Sequence, residues 1–196
     1  MMPRDHLHFI FHIKQIKYKQ NLEYSMKKKK IYEGKILGLS IYDLAIEGRK
    51  VKREMIEHRG AAAMLAFDEN DKLILVKQHR FPHGYVIEIP AGTMEKREEP
   101  KKCAFRELEE ETGYKAKKMT PLITFYPSIG YNTEAIHCFV ASGLKKIADL
   151  KLDEDEILSV VKIDLKKVIS MIKNGKIQDS KTICAVLTYA AKNKLY

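Results

Sequence analysis

Three glutamates near the middle of the chain have the spacing of a metal site. Glu107, Glu110 and Glu111 stand at positions i, i+3 and i+4, which places all three side chains on one side of a helix. Like charges at this spacing repel each other and weaken a helix unless something compensates them. Magnesium, a hard cation, takes oxygen ligands and bridges carboxylates to phosphates. The spacing therefore predicts a magnesium site, and the alternative is a solvated acidic face.

The residues around these glutamates favour the metal site. From residue 92 to residue 114 the chain reads glycine, five residues, glutamate, seven residues, Arg-Glu, hydrophobic, any residue, Glu-Glu, any residue, glycine, hydrophobic. This arrangement resembles the sequence box of Nudix hydrolases at every fixed position. The closing hydrophobic position holds Tyr114, where an aliphatic residue is common, and this difference concerns packing rather than chemistry.

Nudix enzymes hydrolyse nucleoside diphosphates that are linked to another moiety, and they use Mg²⁺ or Mn²⁺. The resemblance assigns metal binding to the backbone carbonyl of Ala91 and to Glu107, Glu110 and Glu111, and it makes these glutamates catalytic. It assigns structural roles to Gly92, Glu98, Arg106 and Gly113, with Arg106 and Glu98 as an ion pair that braces the loop and the helix. Such a metal would neutralise phosphate oxygens and activate a water.

The resemblance extends beyond the box to the ADP-ribose pyrophosphatase branch. Segments 78–82, 88–92 and 126–130, together with Glu134, are similar to that branch, which cleaves ADP-ribose to AMP and ribose 5-phosphate. Members of this branch are homodimers whose N-terminal strands reach into the partner. One departure is Ile129, which stands where the family commonly has a proline with its fixed φ. Substrate identity is therefore less well defined than reaction class.

The resemblance also implies a set of substrate contacts. Arg80 would bind the pyrophosphate, because a guanidinium pairs with two oxygens at once; the alternative is an exposed cation at the end of a strand. Arg53, Glu54 and Glu88 would hold the adenosine side, and Glu134 is a further substrate contact.

An acidic cluster at residues 153–156 supplies two more candidates. In the resembled enzymes a mobile acidic loop in this region provides the catalytic base or a further metal ligand. We therefore assign Glu154 and Glu156 to catalysis, with a solvated loop as the alternative. His137 lies in an apolar strand pattern and is interpreted as a core histidine.

The pattern of apolar residues indicates the elements that position these side chains. Strands are predicted at 36–46 and 51–56 as one hairpin, at 61–67 and 72–77 as a second hairpin, and at 85–89, 122–126, 135–141 and 157–163. A helix is predicted at 100–112, with Pro100 in its first turn and Gly113 at its end. Two further helices follow Asp164 and Ser180 as caps. The fold class is α+β: a Nudix fold, with a mixed sheet between helices, and a small N-terminal antiparallel β appendage.

Three regions are predicted along the chain. Residues 1–30 form a basic extension, residues 31–58 a β-hairpin and dimerisation region, and residues 59–196 the catalytic domain with its C-terminal helices. The extension holds eight basic and two acidic residues, or +6 of the net charge of +10. Residues 1–25 match nothing in the family, so either the true start is Met26 or this stretch is an added strand.

Composition excludes several other classes. The excess charge is mostly in the extension, and no helix-turn-helix, RNP motif or zinc finger accompanies it. No apolar run reaches the roughly 18 residues of a membrane span. Three cysteines without a C-x-x-C spacing fit a reducing cytosol. We therefore predict a cytoplasmic protein with neither nucleic acid nor membrane as a partner, and the resemblance implies a homodimeric enzyme that acts on a small molecule.

Two alternatives to ADP-ribose hydrolysis remain open. One is a Nudix hydrolase for another nucleoside diphosphate sugar or for an oxidised nucleoside triphosphate. The other is a Nudix-like ligand-sensing module that is not an enzyme, although such modules typically have a damaged glutamate cluster, and here the cluster is complete.

Overall fold

The computed structural model describes residues 27–147 and 158–195, and its N-terminal part is a three-stranded antiparallel sheet. The strands are β1 (Lys27–Glu33), β2 (Leu37–Ile46) and β3 (Arg49–His58), in the order β1-β2-β3. The predicted antiparallel appendage is thus confirmed, with one strand more than the hairpin. β1 crosses residue 30, where the sequence placed the end of the extension. Lys28 pairs across the sheet with Tyr42, and its ammonium donates to Glu57 at 2.8 Å.

Two further sheets form the body of the fold. The first has the order β7-β4-β10-β9 and consists of β4 (Ala61–Ala66), β7 (Ala91–Thr93), β9 (Lys118–Phe125) and β10 (Ile136–Ser142). The second has the order β12-β5-β6 and consists of β5 (Lys72–Arg80), β6 (Gly84–Glu88) and β12 (Leu158–Asp164). A short pair joins β8 (Tyr114–Lys115) to β11 (Lys145–Lys146). Because β4 and β10 are parallel while their other neighbours are antiparallel, the sheet is mixed, as predicted.

The second predicted hairpin, at 61–67 and 72–77, is wrong. β4 and β5 follow each other in the chain but belong to different sheets, and a single bridge between Phe67 and Leu73 joins them. Every residue of β4 is buried, and the strand pairs with β7 on one side and β10 on the other, so it offers no free edge to β5. The chain does turn between the two strands, as predicted. The carboxylate of Asp68 stabilises this turn by accepting the backbone N–H groups of Asn70 and Lys72 at 2.9 Å each.

Three helices in the described part of the chain cover the sheets, and the first of these carries the glutamates. α1 (Pro100–Thr112) has the predicted bounds and ends at Gly113, whose φ of 69° is left-handed. α2 (Leu165–Lys173) follows Asp164, which makes no side-chain capping bond. α3 (Ser180–Lys192) is capped by Asp179 rather than by the predicted Ser180, because the Asp179 carboxylate accepts the Thr182 N–H at 2.9 Å. Both residue types are good caps, so the choice depends on which side chain reaches that N–H.

Alternate residues of the central strands pack into two cores. One core, on the side of α2 and α3, contains Ala63, Leu65, Leu73, Leu75, Ile89, Val168, Ile177 and Val186. The other, on the side of α1, contains Ala62, Met64, Ile74, Ala104, Leu108 and Met119. This two-residue alternation is the period of a strand buried on both faces. None of the helices in residues 27–147 and 158–195 is long and apolar enough to cross a membrane.

Candidate active site

Arg106 links Glu107 and Glu110 of α1 to Glu98 in the loop before the helix. Its guanidinium binds Glu98 through two nitrogens, Nε to Oε1 at 3.0 Å and Nη2 to Oε2 at 2.9 Å. The remaining nitrogen, Nη1, donates to Glu107 at 2.6 Å and to Glu110 at 3.0 Å. Forked contacts of this kind are strong and directional. The hydrogen bond from Arg106 lowers the pKa of Glu98, and the bond to Glu98 in turn raises the pKa of Arg106.

Two further contacts of the glutamates lead to the start of β7. Glu111 is only 1 % exposed, and its carboxylate accepts the backbone N–H of Ala91 at 2.9 Å. The carboxylate of Glu107 lies directly against Gly92, where any Cβ would clash with it. The structure therefore brings Ala91 and Gly92 together with the glutamates of α1, which are 15 or more positions away in the sequence.

The residues around α1 offer oxygen donors to a divalent cation. Within residues 27–147 and 158–195, no three His, Cys, Asp or Glu side chains converge closely enough to form a ready-made metal cluster. The guanidinium of Arg106 contacts both Glu107 and Glu110 and supplies positive charge between them. Carboxylate oxygens and a backbone carbonyl are nevertheless the donors that a hard cation takes, so the residues fit Mg²⁺ by chemistry.

A second charged group lies around Glu88, at the end of β6. Glu88 is 2 % exposed, and its carboxylate accepts from Arg80 Nε at 2.8 Å and from Arg80 Nη2 at 3.4 Å. Lys181, at the start of α3, contacts the same carboxylate and also donates to Asp179 at 3.1 Å. Burial lowers the pKa of Arg80, but the bond and charge of Glu88 raise it, and the net shift is upward.

Both charged groups face one cavity with a volume of about 740 Å³. Its lining includes Lys35, Arg59, Gln78, Arg80, Ala91, Gly92, Arg106, Glu107, Glu110, Glu134, Asp179 and Lys181. A cleft of this size is typical of small-molecule sites. The cavity thus joins the acidic face of α1 to the cations at the ends of β5 and α3.

The remaining predicted site residues differ in their position relative to the cavity. Glu134 lines the cavity, with its carboxylate 3.6 Å from Nδ1 of His58. Arg53 and Glu54 are exposed on β3 and do not belong to the lining. Glu154 and Glu156 lie outside the described residues.

Sequence reasoning missed Asp179 and Lys181. They precede and begin α3, 91 and 93 positions after Glu88, and no local motif marks them. A helix cap was the one signal in the sequence, since an Asp before a helical pattern indicates that the helix begins there and that the next residues belong to its first turn.

The chain resembles proteins that have been described before. Residues 57–186 match the model of the NUDIX domain. The chain is 40% identical over 176 residues to an ADP-ribose pyrophosphatase of Bacillus subtilis (strain 168), covering 88% of this chain and 95% of that one. It is 41% identical over 167 residues to a methanol dehydrogenase activator of Bacillus methanolicus, covering 84% and 90%. A solved ADP compounds hydrolase superposes with a TM-score of 0.73 over 89% of this chain and 97% of its own, at 20% identity, which supports the fold.

Proposed function

This chain belongs to the Nudix hydrolase family, and we propose that it hydrolyses the pyrophosphate bond of ADP-ribose to AMP and ribose 5-phosphate with Mg²⁺. The observation that carries the proposal is the cavity that Arg80 lines together with Glu107 and Glu110 of α1. A pyrophosphate needs both cations that bind its oxygens and carboxylates that hold a metal. The 40% identity to an ADP-ribose pyrophosphatase supports this substrate over other nucleoside diphosphates.

Nudix hydrolases generally use divalent metals, and four groups would hold the ion here. They are the backbone carbonyl of Ala91 and the carboxylates of Glu107, Glu110 and Glu111. A bound Mg²⁺ supplies charge neutralisation at the phosphate oxygens and lowers the pKa of water. The identity of the metal is part of the proposal.

The side chains of the chain itself prepare the site. Arg106 holds Glu107 and Glu110 through one nitrogen, and the Ala91 N–H orients Glu111. Arg80 uses Nε and Nη2 on Glu88 and keeps further N–H donors for the anionic substrate. A carboxylate of Glu154 or Glu156 is proposed to accept the proton of the attacking water.

The lining also offers an acceptor for the nucleotide. Gln78 is 5 % exposed, and its Oε1 has no hydrogen-bond partner among the residues that the structure describes. A buried amide oxygen without a partner is costly. A hydroxyl or amino group of the bound substrate would satisfy it, which supports a polar ligand in this cavity.

We propose a homodimer because it gives Arg53 and Glu54 a role. Both are exposed on β3 and do not line the cavity of their own subunit, and Ile31 and Tyr32 are exposed on β1 of the same sheet. A partner subunit that buries this sheet would bring its own Arg53 and Glu54 to the adenosine side.

The three cysteines are free thiols, which supports a reducing cytoplasm as the place of action.

Product analysis tests the proposed reaction. The purified protein is incubated with Mg²⁺ and ADP-ribose, other nucleoside diphosphate sugars, ATP or 8-oxo-dGTP, and the products are separated by ion-exchange chromatography. We expect AMP and ribose 5-phosphate, with the highest kcat/KM for ADP-ribose. A higher kcat/KM for any triphosphate would exclude the proposed substrate, and binding without turnover of any compound would favour a ligand-sensing module.

A further inference from the structure

The first turn of α3 is fixed to the strand end that leads into the site. Thr182 is fully buried, and its hydroxyl accepts the backbone N–H of Ile89 at 2.9 Å. The same hydroxyl donates to the capping carboxylate of Asp179 at 2.6 Å. Ile89 follows Glu88 and precedes the segment that carries Ala91. The turn before and after Lys181 is therefore held in place, and Lys181 has little freedom to leave Glu88.

Glu88 is a buried carboxylate that two cations share. A buried charge is costly unless it is paired and hydrogen-bonded. Arg80 supplies two of the bonds, and Lys181, which is 11 % exposed, supplies another. Asp179 lies 3.1 Å from the ammonium, so the four side chains carry two positive and two negative charges in total.

This charge balance determines how strongly Glu88 competes for Arg80. With Lys181 present, part of the negative charge of Glu88 is already compensated, and the guanidinium can turn its remaining donors to an anion in the cavity. Without Lys181, the group would carry a net negative charge, which would hold Arg80 on Glu88 and repel a phosphate. Because the Glu88 carboxylate is only 2 % exposed, such electrostatic differences are larger there than between groups in water.

We propose that Lys181 is a positioning residue that neutralises Glu88 and thereby makes Arg80 available to the phosphate groups of the substrate. Lys181 acts through Arg80 and not by contact with the reacting atoms. This inference rests on the proposed function, because it takes the ligand of Arg80 to be a nucleoside diphosphate.

The first test is the steady-state kinetics of Lys181→Met with ADP-ribose. We expect KM to rise about tenfold or more while kcat changes by less than about threefold, since binding rather than chemistry is affected. Lys181→Arg, which keeps the charge, should restore KM to within about threefold of the wild-type value. Lys167→Met removes an exposed lysine of α2 and serves as the matched control.

A double-mutant cycle with Glu88→Gln decides whether Lys181 acts through Glu88. If the role of Lys181 is to neutralise Glu88, then its removal should change KM by less than about twofold once Glu88 is uncharged. The same rise in KM in both backgrounds would overturn the proposal. If Lys181→Met folds poorly, Glu88→Gln and Glu88→Gln/Lys181→Met still test the proposal, because neither leaves a charged carboxylate at position 88, and a rise in KM of more than about twofold between these two variants would overturn it.

Binding of ADP, measured by titration calorimetry without metal, separates this inference from the proposed function. If the wild type hydrolyses ADP-ribose but Lys181→Met leaves KM and ADP affinity within about twofold, the inference alone fails. If the wild type does not hydrolyse ADP-ribose but loses ADP affinity on Lys181→Met only while Glu88 is charged, the proposed function alone fails. If the wild type neither hydrolyses ADP-ribose nor binds ADP, both the inference and the proposed function are overturned.

Discussion

The carboxylate of Glu107 occupies the space in which a side chain on Gly92 would begin. An ideal Cβ on Gly92 would lie 1.9 Å from Cδ of Glu107 and 2.0 Å and 2.2 Å from its two oxygens. The clash involves the end of a flexible side chain and not the backbone, so a larger residue at this position would move Glu107 instead of breaking β7. The glycine that opens the sequence box thus makes room for a proposed metal ligand.

Gly92→Ala should therefore remove activity while the fold survives. We expect kcat/KM to fall about 10²-fold or more, because a displacement of about 1 Å at a catalytic group has this effect. The free energy of unfolding should fall by less than about 2 kcal/mol. Activity and urea denaturation check the two parts, and Gly38→Ala, whose Cβ would find its nearest atom at 3.4 Å, is the control. Near-normal turnover of Gly92→Ala would show that catalysis does not depend on the position of Glu107.

Glu111→Gln should also keep the fold and lose activity. The amide oxygen can still accept the Ala91 N–H, so the buried contact at 2.9 Å survives while the ligand charge disappears. We expect a loss of roughly 10²–10⁴ in kcat with little change in melting temperature. Glu109→Gln, on another side of the same helix, should retain activity. Turnover near the wild-type rate would remove Glu111 from the metal site.

The pair of Glu98 and Arg106 predicts a specific dependence of stability on pH. Arg106 lowers the pKa of Glu98 from its ordinary value of 4.5, because its hydrogen bonds favour the carboxylate. A lowered pKa stabilises the folded state fully above the unfolded value, and this contribution is lost as the pH falls through the folded value. Glu98→Gln does not titrate and should be less stable than the wild type by about 1.5–3 kcal/mol near pH 6–7.

The difference between Glu98→Gln and the wild type should then shrink as the pH is lowered toward about 3. Thermal unfolding followed by circular dichroism across this range measures it. Glu69→Gln, in the exposed turn between β4 and β5, is the control and should follow the wild type at every pH. A difference that stays constant with pH would mean that the effect of Glu98→Gln is one of packing.

Local sequence patterns predicted the bounds of the helices and strands that carry the site better than they predicted which strands pair with each other. The bounds of α1 follow from Pro100, the apolar spacing and Gly113, all within one segment. The partners of β4 and β5 depend instead on which strands meet in space, and an apolar run reads the same whether its neighbour is the next strand or a distant one. The hairpin prediction failed for this reason.

The same distinction holds within the site. The residues of the box are close in sequence, so the spacing placed the glutamates of α1 on one side of the helix, and the resemblance to the family paired Glu98 with Arg106. Lys181 meets Glu88 only because α3 packs beside the end of β6, and nothing in a single sequence pairs residues 93 positions apart. Its role therefore became visible only in the structure.

The final prediction concerns the start of the chain. Residues 1–25 lie outside the match to the NUDIX domain model, alternate poorly between apolar and polar positions, and precede β1, which begins at Lys27. A chain that begins at Met26 keeps β1 and should fold, dimerise and hydrolyse ADP-ribose with a melting temperature within a few degrees of the full chain. A chain that begins at Gly34 is the matched comparison, because it also loses the pairing of β1 with β2 and the ion pair of Lys28 with Glu57. We expect a clear fall in melting temperature only for the shorter chain, at about 2–4 °C per kcal/mol for a protein of this size. A fall of about 10 °C or more on removal of residues 1–25 alone would show that they are an integral part of the fold.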